Sequence, residues 1–137
     1  MAITMKQNEM HTVFVYGTLK TDHANHAHFM SDAKYIGAFK TNPKWGLLDL
    51  GPYPAMVMGG LAVQGELYQV DSDTLERLDR LEGVASGLYS RKRINVNRIN
   101  MSEGVPLSGS EKESVVPAWV YIYHAIARQG APLMEEW

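Results

Sequence analysis

The clearest helical period in the chain lies between Asp71 and Gly83, where Leu75, Leu78 and Leu81 recur at helical spacing. Asp71 or Ser72 offers N-cap chemistry, and Gly83 provides the usual C-terminal stop. Elsewhere the apolar residues come in short runs rich in β-branched and aromatic side chains, cut by glycine and proline. That punctuation predicts a sheet-rich domain with a helix inserted late in the chain. The runs are 13–15, 33–40 (with Gly37 marking a bulge), 45–50, 55–58 and 61–70. They are separated by Asn42-Pro43, by Gly51-Pro52-Tyr53-Pro54 and by a Gly59-Gly60 hairpin turn. Along 61–70, Leu61, Val63 and Leu67 alternate with more polar neighbours, as a half-buried strand requires. After the helix, 88–99 and 115–123 read as two strands of an antiparallel hairpin. The tip of that hairpin, 100–114, is rich in Ser, Gly and Glu and reads as an exposed loop. Trp119, Tyr121 and Tyr123 share one face of the second strand, where aromatic packing is expected.

With 137 residues, 45% of them hydrophobic and 20% charged, the chain fits one domain spanning 1–137 with a real core. Residues 1–11 read as a flexible tail without a signal-peptide core. A net charge of −2 offers no electrostatic basis for nucleic acid or an anionic membrane surface, and no apolar run is long enough to span a bilayer. Cysteine is absent, which excludes disulfides, thiolate zinc sites and cysteine nucleophiles and is compatible with a cytoplasmic setting.

Two places carry chemistry. In Val13-Phe14-Val15-Tyr16-Gly17-Thr18-Leu19-Lys20 a buried strand stops at glycine. Backbone N–H groups at such a tip are free to seat a carboxylate, a phosphate or an oxyanion, and a residue without Cβ lets a ligand approach the main chain. A plain tight turn between core elements would use the same residues. At the other place, Glu82 is the last residue of the expected helix, where the negative end of the helix dipole makes a carboxyl hold its proton more tightly. A general base poised near neutrality needs that property; a solvated glutamate at a helix end would look the same. His23 and His26, three apart, would share a helix face, but no carboxylate at matching spacing completes a metal site.

Three segments together resemble the gamma-glutamylcyclotransferase-like proteins: Val15-Tyr16-Gly17-Thr18-Leu19-Lys20, Gly51-Pro52-Tyr53-Pro54-Ala55, and Leu78-Asp79-Arg80-Leu81-Glu82-Gly83 followed by Tyr89 and Arg91. The resemblance runs from about residue 12 to 123 and is strongest to the gamma-glutamylamine cyclotransferase branch. It implies an α+β fold, a small mixed β-barrel flanked by helices. It also implies a cofactor-free reaction that closes a small gamma-glutamyl substrate to 5-oxoproline and releases an amine, and nothing in that reaction calls for a metal. By position, Tyr16, Gly17, Thr18 and Leu19 would form the substrate loop, Glu82 would be the acid/base, and Tyr89 and Tyr53 would line the pocket. One departure follows Lys20: the run Thr21-Asp22-His23-Ala24-Asn25 keeps an asparagine but lacks the glycine that usually precedes it. The other reading of the same residues is a binding module that holds a small anionic ligand without turnover.

Overall fold

A computed structural model describes residues 10–17, 20, 30, 33–51, 54–99, 115–123 and 132–137. Seven strands and one helix occupy them: β1 (Met10–Val15), β2 (Lys34–Thr41), β3 (Trp45–Asp49), β4 (Pro54–Met58), β5 (Gln64–Asp71), α1 (Ser72–Leu81), β6 (Tyr89–Arg98) and β7 (Val115–Tyr123). Five of these close into a barrel in the order β1-β5-β2-β6-β7. Neighbours are antiparallel except at the seam, where β1 and β7 run parallel and meet at Val13 and Trp119. The mixed β-barrel implied by the resemblance is therefore present, with one helix beside it among the described residues.

The long hairpin is also present, with β6 and β7 paired from Tyr89–Tyr123 to Asn97–Val115. The bulge falls where Gly37 predicts it, as a register shift in β2 between Tyr35 and Gly37. The loop 100–114 and the histidines at 23 and 26 lie outside the described residues.

Other expectations are corrected. β1 begins at Met10, paired with Asp71, so the end of the expected 1–11 tail belongs to the strand. The Gly59-Gly60 turn does not make a hairpin with the following strand. β4 folds back on β3 as a separate two-stranded sheet, and β5 starts only at Gln64 and pairs with β1 and β2. Leu61 spends its backbone groups on Trp45, and the Val63 carbonyl accepts from Thr41 N–H, so neither extends β5. The C-terminal stretch, unreadable in sequence, completes this layer. Met134 and Leu47 exchange two 2.9 Å backbone bonds, and Leu133 sits over Gly46 and Gly59, where a Cβ would lie 2.6 and 2.7 Å from its side chain.

Both faces of the sheet are buried, which is why strict alternation along 61–70 fails. Phe14, Phe39, Leu67, Val96 and Val120 pack on one face with Leu47, Met56 and Val63. Val13, Val15, Tyr68, Val70 and Tyr121 pack on the other with Leu75 and Leu78 of α1. Leu81 leaves this stripe and is 38% exposed, although its spacing placed it in the core.

Candidate active site

The helix is delivered to the barrel by its caps. Asp71 adopts extended backbone (φ −80°, ψ 174°), and its carboxylate accepts from Thr74 N–H at 2.8 Å, satisfying one of the orphan donors of the first turn. That bond, ahead of the Thr74 hydroxyl, holds the Asp71 carboxyl below its ordinary value. At the other end Gly83 has φ +65°, a left-handed conformation that costs other L residues energy. With it come the two bonds of a Schellman ending: Val84 N–H to Asp79 C=O at 3.0 Å and Gly83 N–H to Arg80 C=O at 3.2 Å. Glu82 is thus the C-cap rather than the last helical residue (φ −85°, ψ −1°), held in a rigid turn by its own N–H to Leu78 C=O at 3.0 Å.

That turn leaves Glu82 half-buried, and its carboxyl is pushed up from 4.5 to about 7. The direction agrees with the sequence reading, but the cause is desolvation by burial rather than the helix dipole. A carboxyl at that value is divided between acid and base near neutral pH, the condition under which one group can both accept and return a proton.

Tyr16, directly after β1, is fully engaged. Its hydroxyl donates to the Tyr121 carbonyl at 2.7 Å and accepts from Met56 N–H at 3.3 Å, tying β1, β4 and β7 together. Burial first, then the Glu82 carboxylate and the Tyr89 hydroxyl, hold the Tyr16 hydroxyl well above its ordinary value, while the Met56 amide opposes. Glu82 and Tyr89, far from Tyr16 in sequence, therefore both stand within electrostatic reach of its hydroxyl. Tyr89 is buried at the start of β6, its ring 5.2 Å from that of Tyr123.

Gly17 turns the chain, with Lys20 N–H returning to its carbonyl at 3.0 Å, and Lys20 is buried. The fold gives a reason for glycine that the sequence does not show. A Cβ at Gly17 would lie 2.8 Å from both Cδ and Cγ of Pro54, so the missing side chain makes room for the proline of the middle motif. Two of the three resembling segments thus pack directly on each other. Thr18, Leu19 and Tyr53 lie outside the described residues.

The sequence reading missed a cluster beside Glu82. Asp79 Oδ1 accepts from the Tyr121 hydroxyl at 2.7 Å and lies 3.4 Å from Arg91 Nε, and the Arg91 guanidinium carbon is 4.6 Å from the Trp119 ring centre. Burial, then the bond to Asp79, pushes the Tyr121 hydroxyl upward, with Glu82 adding to the effect and Arg91 opposing it. The signal lay in the third segment, whose Asp79 and Arg91 were legible as motif positions, and in the aromatic face of 119–123, read only as packing. Among the described residues no group of three or more His, Asp or Glu side chains is arranged to hold a metal. No helix among them is long and apolar enough to cross a membrane.

Comparison with known proteins agrees with the geometry. The family model described as "Gamma-glutamyl cyclotransferase, AIG2-like" matches residues 13–137. A Vibrio cholerae protein carrying the name "Putative gamma-glutamylcyclotransferase" is 47% identical over 118 residues, covering 86% of each chain. The Escherichia coli K12 "Gamma-glutamylcyclotransferase family protein YtfP" is 39% identical over 82 residues, covering 60% of this chain and 70% of its own. The crystal structure of a mouse AIG2-like protein superposes with a TM-score of 0.78 at 27% identity, covering 94% of this chain and 88% of that one. The fold, three sequence segments and these matches thus converge, and the chain belongs to the AIG2-like gamma-glutamyl cyclotransferase family.

Proposed function

We propose that the protein is a cyclotransferase that converts a gamma-glutamyl amine, or a related gamma-glutamyl compound, to 5-oxoproline and a free amine, with Glu82 as the acid/base. The observation that carries this reading is the half-buried Glu82 carboxyl, pushed up to about 7 and within electrostatic reach of the Tyr16 hydroxyl. The names of the relatives support the same class of substrate.

The substrate supplies its own nucleophile. Its α-amino nitrogen attacks the γ-carbonyl carbon, the ring C–N bond forms, and the bond to the departing nitrogen breaks. Across the reaction the α nitrogen gives up two protons and the departing nitrogen gains two. Glu82 as carboxylate takes a proton from the attacking nitrogen, and as carboxylic acid it returns one to the leaving nitrogen. Holding the glutamyl chain folded supplies several kcal/mol by proximity alone. Because the Tyr16 hydroxyl is committed to Tyr121 and Met56, its role is to fix the end of β1. In this reading the substrate carboxylate or the oxyanion is received by backbone N–H groups of the 16–19 loop, and Tyr89 and Tyr53 line the pocket.

Incubation of the purified protein with a panel of gamma-glutamyl amines and gamma-glutamyl amino acids, with 5-oxoproline as the readout, tests the reading. Turnover of any member supports it. Tight binding without 5-oxoproline from any of them overturns it in favour of a ligand-binding module.

A further inference from the structure

Tyr121 serves two masters. Its backbone carbonyl receives the Tyr16 hydroxyl at 2.7 Å, and its own hydroxyl donates to Asp79 Oδ1 at 2.7 Å. Asp79, in the last turn of α1, is three residues before Glu82 at its C-cap, a spacing that sets Cβ atoms about 5–6 Å apart. Arg91 of β6 approaches the same Asp79 oxygen at 3.4 Å, and its guanidinium is backed by Trp119 of β7 at 4.6 Å. Asp79 and Arg91 each keep a quarter of their side chains exposed, whereas Tyr121 is buried.

From this geometry we infer that Asp79, Arg91 and Tyr121 are positioning residues for Glu82. They pin the last turn of α1 to the β6–β7 hairpin and cancel the charge of the carboxylate three residues before the acid/base. The assignment of Glu82 as acid/base rests on the function proposed above; the positioning itself does not. Two carboxylates one turn apart would otherwise compete for a single proton, and the one without a partner would be driven neutral. Arg91 removes that competition, leaving the proton affinity of Glu82 to be set by its burial. Tyr121 adds the mechanical part, because a single residue anchors both the Glu82 turn and the Tyr16 end of the substrate loop. The groups linked to Glu82 include Tyr16 after β1, Tyr121 of β7 and, through Tyr16, Tyr89 of β6; Asp79 lies in the last turn of α1, which Glu82 caps, and Arg91 of β6 pairs with that Asp79.

The test follows the Glu82 carboxyl by carbon-13 NMR titration in the full chain, with Glu82→Gln identifying the resonance. Arg91→Met leaves Asp79 uncompensated and raises the Glu82 midpoint by about half a pH unit even under water-like screening. Asp79→Asn leaves Arg91 uncompensated and lowers the midpoint by a similar amount. The double variant returns it to the native value, and so does Arg91→Lys. Tyr121→Phe keeps the ring and loses the hydroxyl; with a turned-over substrate it lowers kcat about tenfold to a hundredfold with KM within about twofold, as displacement of an acid/base should. Unmoved midpoints in folded Arg91→Met and Asp79→Asn, or shifts of the same sign in both, overturn the inference; if one variant fails to fold, the other suffices. Shifted midpoints without turnover of any gamma-glutamyl compound uphold the positioning and sink the cyclotransferase reading, and the converse result does the opposite.

Discussion

Replacing Glu82 by glutamine removes the proton-accepting oxygen and leaves the shape of the side chain nearly intact. Its effect on rate and its effect on stability have opposite signs. The native carboxyl is held at about 7 against an ordinary 4.5, because the half-buried site disfavours the ionised form. A group whose folded value is raised binds its proton more tightly in the folded state. The stability that goes with the proton is therefore complete below about 4.5 and is lost as pH rises through about 7. At pH 8 the ionised carboxylate costs the fold about 3 kcal/mol at most, and water reaching the half-exposed group reduces this to about 1–2 kcal/mol. Glutamine carries no such charge. At pH 8 the variant should match or exceed the native melting temperature, by up to roughly 8 °C for a domain of this size, while at pH 4.5 the advantage should vanish. Turnover should collapse, since general-base help is worth roughly 100- to 10,000-fold, or about 3–5 kcal/mol of barrier. The assay pairs 5-oxoproline formation with thermal melts at both pH values. Native turnover by the variant would end the acid/base assignment, and a melting temperature well below native at pH 8 would refute the burial argument.

Other expectations follow from the same geometry. The acidic limb of kcat/KM should lie near 7 rather than near 4.5, since activity requires the ionised Glu82; a limb near 4.5 in the pH–rate profile would assign the base elsewhere. Gly17→Ala places a Cβ 2.8 Å from the Pro54 ring and should destabilise the protein by about 1–3 kcal/mol in urea titration. Adding Pro54→Ala should recover part of that loss, and no recovery would mean that Pro54 is not the obstacle. Asp71→Ala removes the N-cap bond to Thr74 and should cost about 1 kcal/mol above pH 5. Because burdenless ionisation of Asp71 is favoured in the fold, that difference should shrink as pH falls through its lowered value; a difference independent of pH would contradict the cap.

The amino-acid sequence by itself determined the local elements and most of the motif positions. Period and caps located α1 between Asp71 and Gly83, the glycine at 37 marked a bulge, and composition separated β6 from β7. These are decisions taken within a few residues, by backbone strain, side-chain branching and capping bonds. Three short segments were also enough to point to the family and to Glu82. The partners of those segments were decided only in three dimensions. Nothing near Gly17 says that Pro54, 37 residues on, occupies its missing side chain, and nothing near Asp79 says that Tyr121 and Arg91 meet its carboxylate. The Gly59-Gly60 turn misled for the same reason, since turn chemistry cannot tell that β3 and Leu133 compete for that corner. Even where the direction was legible, as with the proton affinity of Glu82, the cause was not. A helix end can be read from sequence, whereas burial depends on which distant strands close over it, and in this fold burial sets the value.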